Sequence, residues 1–108
     1  MRPLDQLEQT IAQRKAAAAA DSSYTAKLLA GGLAKIGPKI TEEAAEVVEA
    51  ADEPGEEGRQ HTLREAADVL YHLLVLLAAR DVKLEEVESE LARRFNMSGL
   101  VEKASRGQ

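Results

Sequence analysis

Apolar side chains recur at helical spacing near the start of the chain. Leu4, Leu7 and Ile11 lie about one turn apart, and Pro3 before them suits the first position of a helix. A run of alanines continues this segment until the residues DSS at 21–23 interrupt it. The spacing therefore predicts a first helix that ends just before this interruption.

Glycine and proline divide the stretch that follows. The short segment TAKLLA stops at the glycine pair 31–32, and Gly37 with Pro38 marks either a break or a new start. We therefore expect a short helix before the glycine pair. A longer helix is expected from about Pro38 to Asp52.

Further helices are expected after the turn EPGEEG. Thr62 and Glu65 have the Thr-x-x-Glu form of a capping box, which predicts that a helix opens there and runs to about Arg80. Apolar residues recur at helical spacing again from Lys83 onward, and a turn at 98–99 precedes the C-terminal segment. Because no stretch alternates with a period of two, the predicted fold class is all-α.

The segment AADVLYHLLVLLAA at 66–79 is apolar around nearly its whole circumference, with Asp68 and His72 as its only strongly polar residues. Such a helix requires burial on nearly every side, yet it is shorter than the roughly 20 apolar residues that a membrane span needs. A chain of 108 residues offers few other helices to surround it. We therefore predict an antiparallel helical bundle of four to five helices, completed by dimerisation into a homodimer or a higher homo-oligomer.

Composition and charge narrow the function classes. The length predicts a single all-α domain spanning residues 1–108, and the absence of cysteine excludes disulfides, thiolate metal sites and a cysteine nucleophile. The first residues lack a basic segment followed by an apolar run, so a cytoplasmic protein is expected. Residues 41–92 carry fifteen acidic and four basic side chains, which argues against a nucleic-acid partner.

The stretch TEEAAEVVEAA at 41–51 carries the first of two acidic stripes. Glu42, Glu46 and Glu49 fall within about 60° of one another on a helical wheel, and Glu43 lies at their flank. Glutamates on an alanine-rich helix ordinarily form a solvated face. Taken alone, this stretch favours that interpretation.

The second stripe consists of Glu65, Asp68 and His72 on the following helix. Glu65 could serve only as the capping-box partner of Thr62, and His72 only as a hydrogen-bonded core residue. Asp68 is harder to explain, because an ionised carboxylate in apolar surroundings costs free energy unless it is paired.

Antiparallel packing of these two helices would bring the two stripes together. Carboxylates at close range repel one another unless a cation lies between them. Two carboxylates at i and i+3 on each of two facing helices suit magnesium or manganese. Magnesium commonly takes phosphate oxygens as further ligands, so the pattern indicates phosphate chemistry.

The two motifs together resemble those of a known superfamily. The pattern EExxE at 42–46, followed by ExxD at 65–68, is similar to the signature of the all-α nucleoside triphosphate pyrophosphatases. Three longer segments, SSYTAKLLAGGLAKIGPKITEEAAEVVEAA, REAADVLYHLLVLLAARDV and SGLVEKASR, resemble the phosphoribosyl-ATP pyrophosphatase family of histidine biosynthesis in its stand-alone form. The likeness extends from about Leu4 to Arg106.

This resemblance implies a reaction, a cofactor and a set of site residues. The family hydrolyses 1-(5-phosphoribosyl)-ATP to 1-(5-phosphoribosyl)-AMP and pyrophosphate, cutting between the α and β phosphorus atoms with Mg²⁺, for which Mn²⁺ is a possible substitute. By match to the signature, the implied metal ligands are Glu43, Glu46, Glu65 and Asp68. Glu42 or Glu49 would orient or deprotonate the attacking water.

The substrate carries far more negative charge than one magnesium ion neutralises, so basic and hydroxyl side chains should complete the site. The candidate substrate-binding residues are Ser23, Tyr24, Thr25, Lys27, Lys35, Lys39, His72, Lys103 and Arg106. In a dimer, the C-terminal segment could serve the neighbouring subunit's site.

Two alternatives stay open at this point. A house-cleaning pyrophosphatase for deoxynucleoside or damaged triphosphates would share the acidic motifs, but SYTAKLL and SGLVEKASR follow the histidine family instead. A non-catalytic helical dimerisation module would leave the acidic stripes merely solvated. That second alternative does not explain Asp68.

Overall fold

The structure is a computed structural model that describes residues 1–95, apart from the side chain of Ala19. These residues form helices joined by short turns and include no strand, so the predicted all-α class is confirmed for them. The predicted turn at 98–99 and the candidate residues Lys103 and Arg106 lie outside the described residues. The helices are α1 (Pro3–Ala17), α2 (Tyr24–Gly31), α3 (Leu33–Ala51), α4 (Gly55–Ala79) and α5 (Leu84–Arg94), with a 3₁₀ turn at Ala18–Ala20.

The side chains of Asp21 and Ser23 stabilise the connection between α1 and α2 by hydrogen bonds. Oδ1 of Asp21 accepts a hydrogen bond of 2.8 Å from the backbone N–H of Ser23, and Oδ2 accepts one of 3.2 Å from Arg14. Oγ of Ser23 in turn accepts a hydrogen bond of 3.1 Å from the backbone N–H of Ala26. Ser23 is therefore the N-cap of α2, a position that favours serine.

Helix α3 begins at Leu33, so the prediction that it would begin near Pro38 is wrong. The break lies at Gly32, whose φ of +68° suits glycine and whose N–H bonds to the carbonyl oxygen of Leu28 at the end of α2. Pro38 lies inside α3, directly after Gly37. Gly37 lacks the Cβ that would contribute to a clash with the proline ring, while Pro38 itself leaves one helical hydrogen bond of α3 unmade.

Helix α4 begins at Gly55, seven residues before the predicted start at Thr62. Pro54 precedes it, and two glutamates in the first turn interact favourably with the positive end of the helix dipole. The hydroxyl of Thr62 donates a hydrogen bond of 2.8 Å to the carbonyl oxygen of Gly58, as an interior helical residue does. The predicted capping box is therefore wrong, and Glu65 is free of that role.

The core lies between α1, α2, α3 and α4. Its buried cluster comprises Ile11, Leu28, Ile36, Leu74 and Val75. Helices α3 and α4 form the largest helix–helix contact and run antiparallel, since they are joined only by residues 52–54. At the periphery, Glu8 holds the start of α5 by accepting a 2.6 Å hydrogen bond from the backbone N–H of Leu84.

Helix α4 is not buried on every side within one chain. Leu74 and Val75 point into the core, but Leu70 remains 45% exposed and Leu73 38% exposed. Asp68 is exposed as well, so the inference that its carboxylate lies in apolar surroundings is wrong for the single chain. None of the described helices is long and apolar enough to cross a membrane.

Candidate active site

The antiparallel pairing of α3 and α4 brings the two acidic stripes into contact, as their spacing predicted. Glu43 of α3 is only 8% exposed, and its Oε1 lies 2.5 Å from Nδ1 of His72 on α4. Burial raises the pKa of Glu43, and the charges of Asp68 and Glu65 raise it further against the opposing effect of His72. This carboxyl group therefore lies in a region of concentrated negative charge.

Glu46 and Glu65 form a second contact across the same helix pair. A hydrogen bond to the Glu65 carboxyl is the largest cause of the raised pKa of Glu46, followed by burial and by the charges of Glu65 and Glu42. Two carboxyl groups at this range cannot both be ionised without strong repulsion. The pair therefore requires either a shared proton or a cation.

His72 is buried, with 7% exposure, and both of its ring nitrogens have partners. Nδ1 donates a hydrogen bond of 3.0 Å to the carbonyl oxygen of Asp68, since a carbonyl can only accept. In the neutral ring Nε2 is then an acceptor, and the hydroxyl of Tyr24 donates to it at 3.1 Å. Helix α2 is therefore linked to the acidic stripes through one imidazole.

His61 contacts the second acidic stripe, although the sequence motifs did not single it out. Its Nδ1 lies 2.9 Å from Oε1 of Glu53, and its Nε2 lies 3.3 Å from Oε1 of Glu65. The hydrogen bond to Glu53 is the main cause of its raised pKa. The i, i+4 spacing of His61 and Glu65 on one helix was the available signal.

The donor chemistry of the acidic stripes fits a hard divalent cation. Oε1 of Glu43 and Oε2 of Glu65 are both buried; within residues 1–95 Oε2 of Glu65 has no hydrogen-bond partner, and Oε1 of Glu43 has only its 2.5 Å contact with Nδ1 of His72. They come from the two facing helices, and carboxylate oxygens are the ligands that magnesium and manganese prefer. Over the same residues, no three acidic or histidine side chains form a ready-made cage, so binding a cation requires side-chain adjustment.

Comparison with known proteins identifies the family. A model described as phosphoribosyl-ATP pyrophosphohydrolase matches residues 4–95 of the chain. The chain belongs to this family. The resemblance drawn from the EExxE and ExxD motifs is thereby confirmed.

Relatives named phosphoribosyl-ATP pyrophosphatase match the chain over nearly its whole length. The protein of Rhodopirellula baltica is 58% identical over 104 residues, which cover 96% of this chain and 86% of the relative. That of Dinoroseobacter shibae is 58% identical over 106 residues, which cover 98% of this chain and 100% of the relative. That of Cereibacter sphaeroides is 54% identical over 107 residues, which cover 99% of this chain and 100% of the relative.

The hydroxyl groups expected at a phosphoribosyl-ATP pyrophosphohydrolase site all have partners within the protein. Ser23 caps α2, the hydroxyl of Tyr24 donates to His72, and the hydroxyl of Thr25 contacts that of Tyr71. These contacts join α2 to α4. Each hydroxyl would have to share or exchange a partner in order to bind substrate.

The predicted lysines lie in different surroundings. The charge of Lys39 lowers the pKa of Glu43, which places Lys39 within electrostatic reach of the acidic stripes. The stem of the exposed Lys35 packs over Gly31, the last residue of α2. Lys27 instead lines a cavity of about 490 Å³ that also includes Arg14 and none of the predicted carboxylate ligands.

Glu42 and Glu49, the two candidates to orient or deprotonate the attacking water, lie in different surroundings. Glu42 is exposed, but its charge contributes to the raised pKa of Glu46, so it lies near the carboxyl pair. Glu49 is exposed, and its side chain makes no hydrogen bond or ion pair within residues 1–95. Its role stays a prediction.

Proposed function

We propose that this protein hydrolyses 1-(5-phosphoribosyl)-ATP to 1-(5-phosphoribosyl)-AMP and pyrophosphate, the second step of histidine biosynthesis, in the cytoplasm. The observation that carries the proposal is the 58% identity to a phosphoribosyl-ATP pyrophosphatase along that relative's full length. The facing carboxylates of α3 and α4 support it, since hydrolysis of a phosphoric anhydride needs groups that offset phosphate charge.

Four carboxylates would hold Mg²⁺ or Mn²⁺. Glu43 and Glu46 would approach it from α3, and Glu65 and Asp68 from α4. A divalent cation there supplies Lewis-acid activation of water and neutralises charge on the phosphates. The exposed position of Asp68 leaves its carboxylate accessible from solvent, where the triphosphate would arrive.

The remaining residues would orient the water and the substrate for attack between the α and β phosphates. Glu42, near the carboxyl pair, is the stronger candidate to accept a proton from the water, and Glu49 is the other. Lys39, whose charge lowers the pKa of Glu43, would offset phosphate charge beside that carboxyl group, with Lys35 one turn earlier on α3. Lys27, Lys103 and Arg106 remain candidates for binding phosphate groups of the substrate.

We further propose that the protein acts as a homodimer or a higher homo-oligomer. Leu63, Leu70 and Leu73 are exposed along one side of α4, at 54%, 45% and 38%, which supports a second copy covering this surface. Sedimentation of wild type and Leu70→Glu tests this. The proposal expects wild type to sediment as a dimer or larger and the variant to shift toward monomer, whereas a monomeric wild type would refute it.

The activity is tested by pyrophosphate release from purified protein with Mg²⁺. Phosphoribosyl-ATP is offered beside ATP, dUTP and dCTP, with EDTA as the control. Selective and EDTA-sensitive cleavage of phosphoribosyl-ATP is expected. Preference for a deoxynucleotide would instead assign the protein to nucleotide sanitation, and no release from any substrate would refute an enzymatic role.

A further inference from the structure

Two hydroxyl contacts join α2 to α4, and only one of them leads to the acidic stripes. The hydroxyl of Tyr24 donates to Nε2 of His72, whose Nδ1 lies against Glu43. The neighbouring residues on the same two helices, Thr25 and Tyr71, are in contact through their hydroxyl groups. The first contact therefore ends at a carboxylate of the candidate metal site, and the second ends in helix packing.

The surroundings of His72 determine both its tautomer and its ring orientation. The carbonyl oxygen of Asp68 holds the proton on Nδ1, and the hydroxyl of Tyr24 occupies the lone pair of Nε2. The rings of Tyr71 and Tyr24 lie against the imidazole at 4.8 Å and 5.9 Å between centroids, both in edge-on geometry. The imidazole is thus held on both nitrogens and on its faces.

A fixed imidazole limits the positions open to the Glu43 side chain. Nδ1 lies 2.5 Å from Oε1 of Glu43 and 3.0 Å from the carbonyl oxygen of Asp68, so one nitrogen contacts both oxygens. A nitrogen and an oxygen approach this closely only when a proton lies between them, so the ring fixes Oε1 of the carboxylate. The other carboxylate oxygen, Oε2, is then the one left to bind a cation.

We propose that His72 is a positioning residue for Glu43 and that Tyr24 is a positioning residue for His72, rather than either being a substrate ligand. The inference rests on the proposed metal site. A buried imidazole whose two nitrogens are both occupied has no polar atom left for a phosphate. Groups that orient metal-binding carboxylates are known to affect metal affinity strongly.

The chain offers a matched pair of variants for the test. Tyr24→Phe removes only the hydroxyl that fixes His72, whereas Tyr71→Phe removes a hydroxyl from the neighbouring contact between the same two helices. His72→Asn keeps an N–H donor near the position of Nδ1 and loses the acceptor for Tyr24. Binding of Mn²⁺ without substrate is measured by electron paramagnetic resonance titration, together with the melting temperature in EDTA.

Tyr24→Phe is expected to weaken Mn²⁺ binding about tenfold, while Tyr71→Phe changes it by less than about twofold. The Mn²⁺ affinity of His72→Asn should lie between those of wild type and His72→Ala. The alanine variant loses the contacts of both ring nitrogens. With phosphoribosyl-ATP at high Mn²⁺ concentration, Tyr24→Phe should lower kcat and leave KM unchanged, because the substrate does not touch this hydroxyl.

Three outcomes would overturn the inference. Equal Mn²⁺ affinity in wild type, Tyr24→Phe and His72→Ala would show that the network only stabilises the fold. Equal losses in Tyr24→Phe and Tyr71→Phe would show a general effect of loosening α2. A raised KM with unchanged Mn²⁺ affinity would make Tyr24 a substrate ligand. In each case wild type still binds Mn²⁺ and cleaves phosphoribosyl-ATP, whereas failure of the proposed function itself would appear as wild type that does neither.

Discussion

The carboxyl groups of Glu46 on α3 and Glu65 on α4 face each other, and the hydrogen bond that they share when one of them is protonated is the main cause of the raised pKa of Glu46. Two acidic side chains hold this position although ionisation of both would push the helices apart. The arrangement is unfavourable for a purely structural helix pair. It suits a pair that binds a cation.

Replacement of Glu46 by glutamine should abolish most activity. Glu46→Gln keeps the side-chain size but removes one negative charge from the metal site, so pyrophosphate release should fall at least about 100-fold at saturating Mg²⁺. Glu57→Gln, in the exposed first turn of α4, is the matched control and should retain wild-type activity. Turnover by Glu46→Gln near the wild-type rate would mean that Glu46 is not a ligand.

The stability of the protein in EDTA should rise as the pH falls through the titration range of Glu46. A carboxyl with a raised pKa binds its proton more tightly in the folded state, so ionisation between its usual pKa of 4.5 and the raised value destabilises the fold. Urea unfolding across this range should show the effect in wild type. Glu46→Gln should show less of it, and Mg²⁺ should stabilise wild type most at higher pH.

The sign of that pH dependence is the decisive point. If the stability in EDTA instead increased steadily with pH through this range, in both proteins alike, the carboxyl pair would not be under repulsion. The pairing of Glu46 with Glu65 would then be wrong.

Loss of the Glu53 carboxylate should lower the pKa of His61. The hydrogen bond between Nδ1 of His61 and Glu53 favours the charged imidazole, and Glu53→Gln removes that charge. This contact stabilises the fold below the ordinary histidine pKa of about 6.5, and its contribution is lost as the pH rises through the raised value. Titration of the imidazole proton resonances in EDTA measures the change. An unchanged pKa in Glu53→Gln would contradict the assigned cause, and Glu57→Gln is the control.

Alanine at Gly58 should destabilise the protein even though alanine is the better helix former. A Cβ at this position would lie 2.1 Å from the carbonyl oxygen of Glu53, so the loop between α3 and α4 would have to move. We expect a loss of about 1–3 kcal/mol in the free energy of unfolding, measured in urea. Arg59→Ala, an exposed change on the same turn, should stay within about 0.5 kcal/mol of wild type. A gain in stability for Gly58→Ala would show that the loop adjusts freely.

Helix boundaries show where local sequence signals mislead. The sequence predicts a helix in each of the five places where the described residues have an α-helix, but the starts assigned to Pro38 and Thr62 are wrong. Pro38 lies inside α3 although it lacks a backbone N–H, and Thr62 lies inside α4, where its hydroxyl bonds to the carbonyl oxygen of Gly58. Both signals are statistical, and the packing of the complete helices overrode them.

The acidic motifs predict the candidate site, but the reason given for Asp68 is wrong for the single chain. Its charge was expected to be buried, whereas the residue is exposed. The role of His72 at the substrate stays a prediction, and its two ring nitrogens bond to Asp68 and Tyr24 within the protein. His61 was passed over because only the folded helices bring Glu53 to it.

The sequence by itself determined the all-α class, the family and the two acidic stripes, because helical spacing and motif residues are local properties of the chain. Only the tertiary structure decided which carboxylates meet, since the register between α3 and α4 sets Glu43 against His72 and Glu46 against Glu65. It also decided which polar atoms remain unpartnered. Burial and hydrogen bonding depend on residues far apart in the chain, and packing alone brings those residues together.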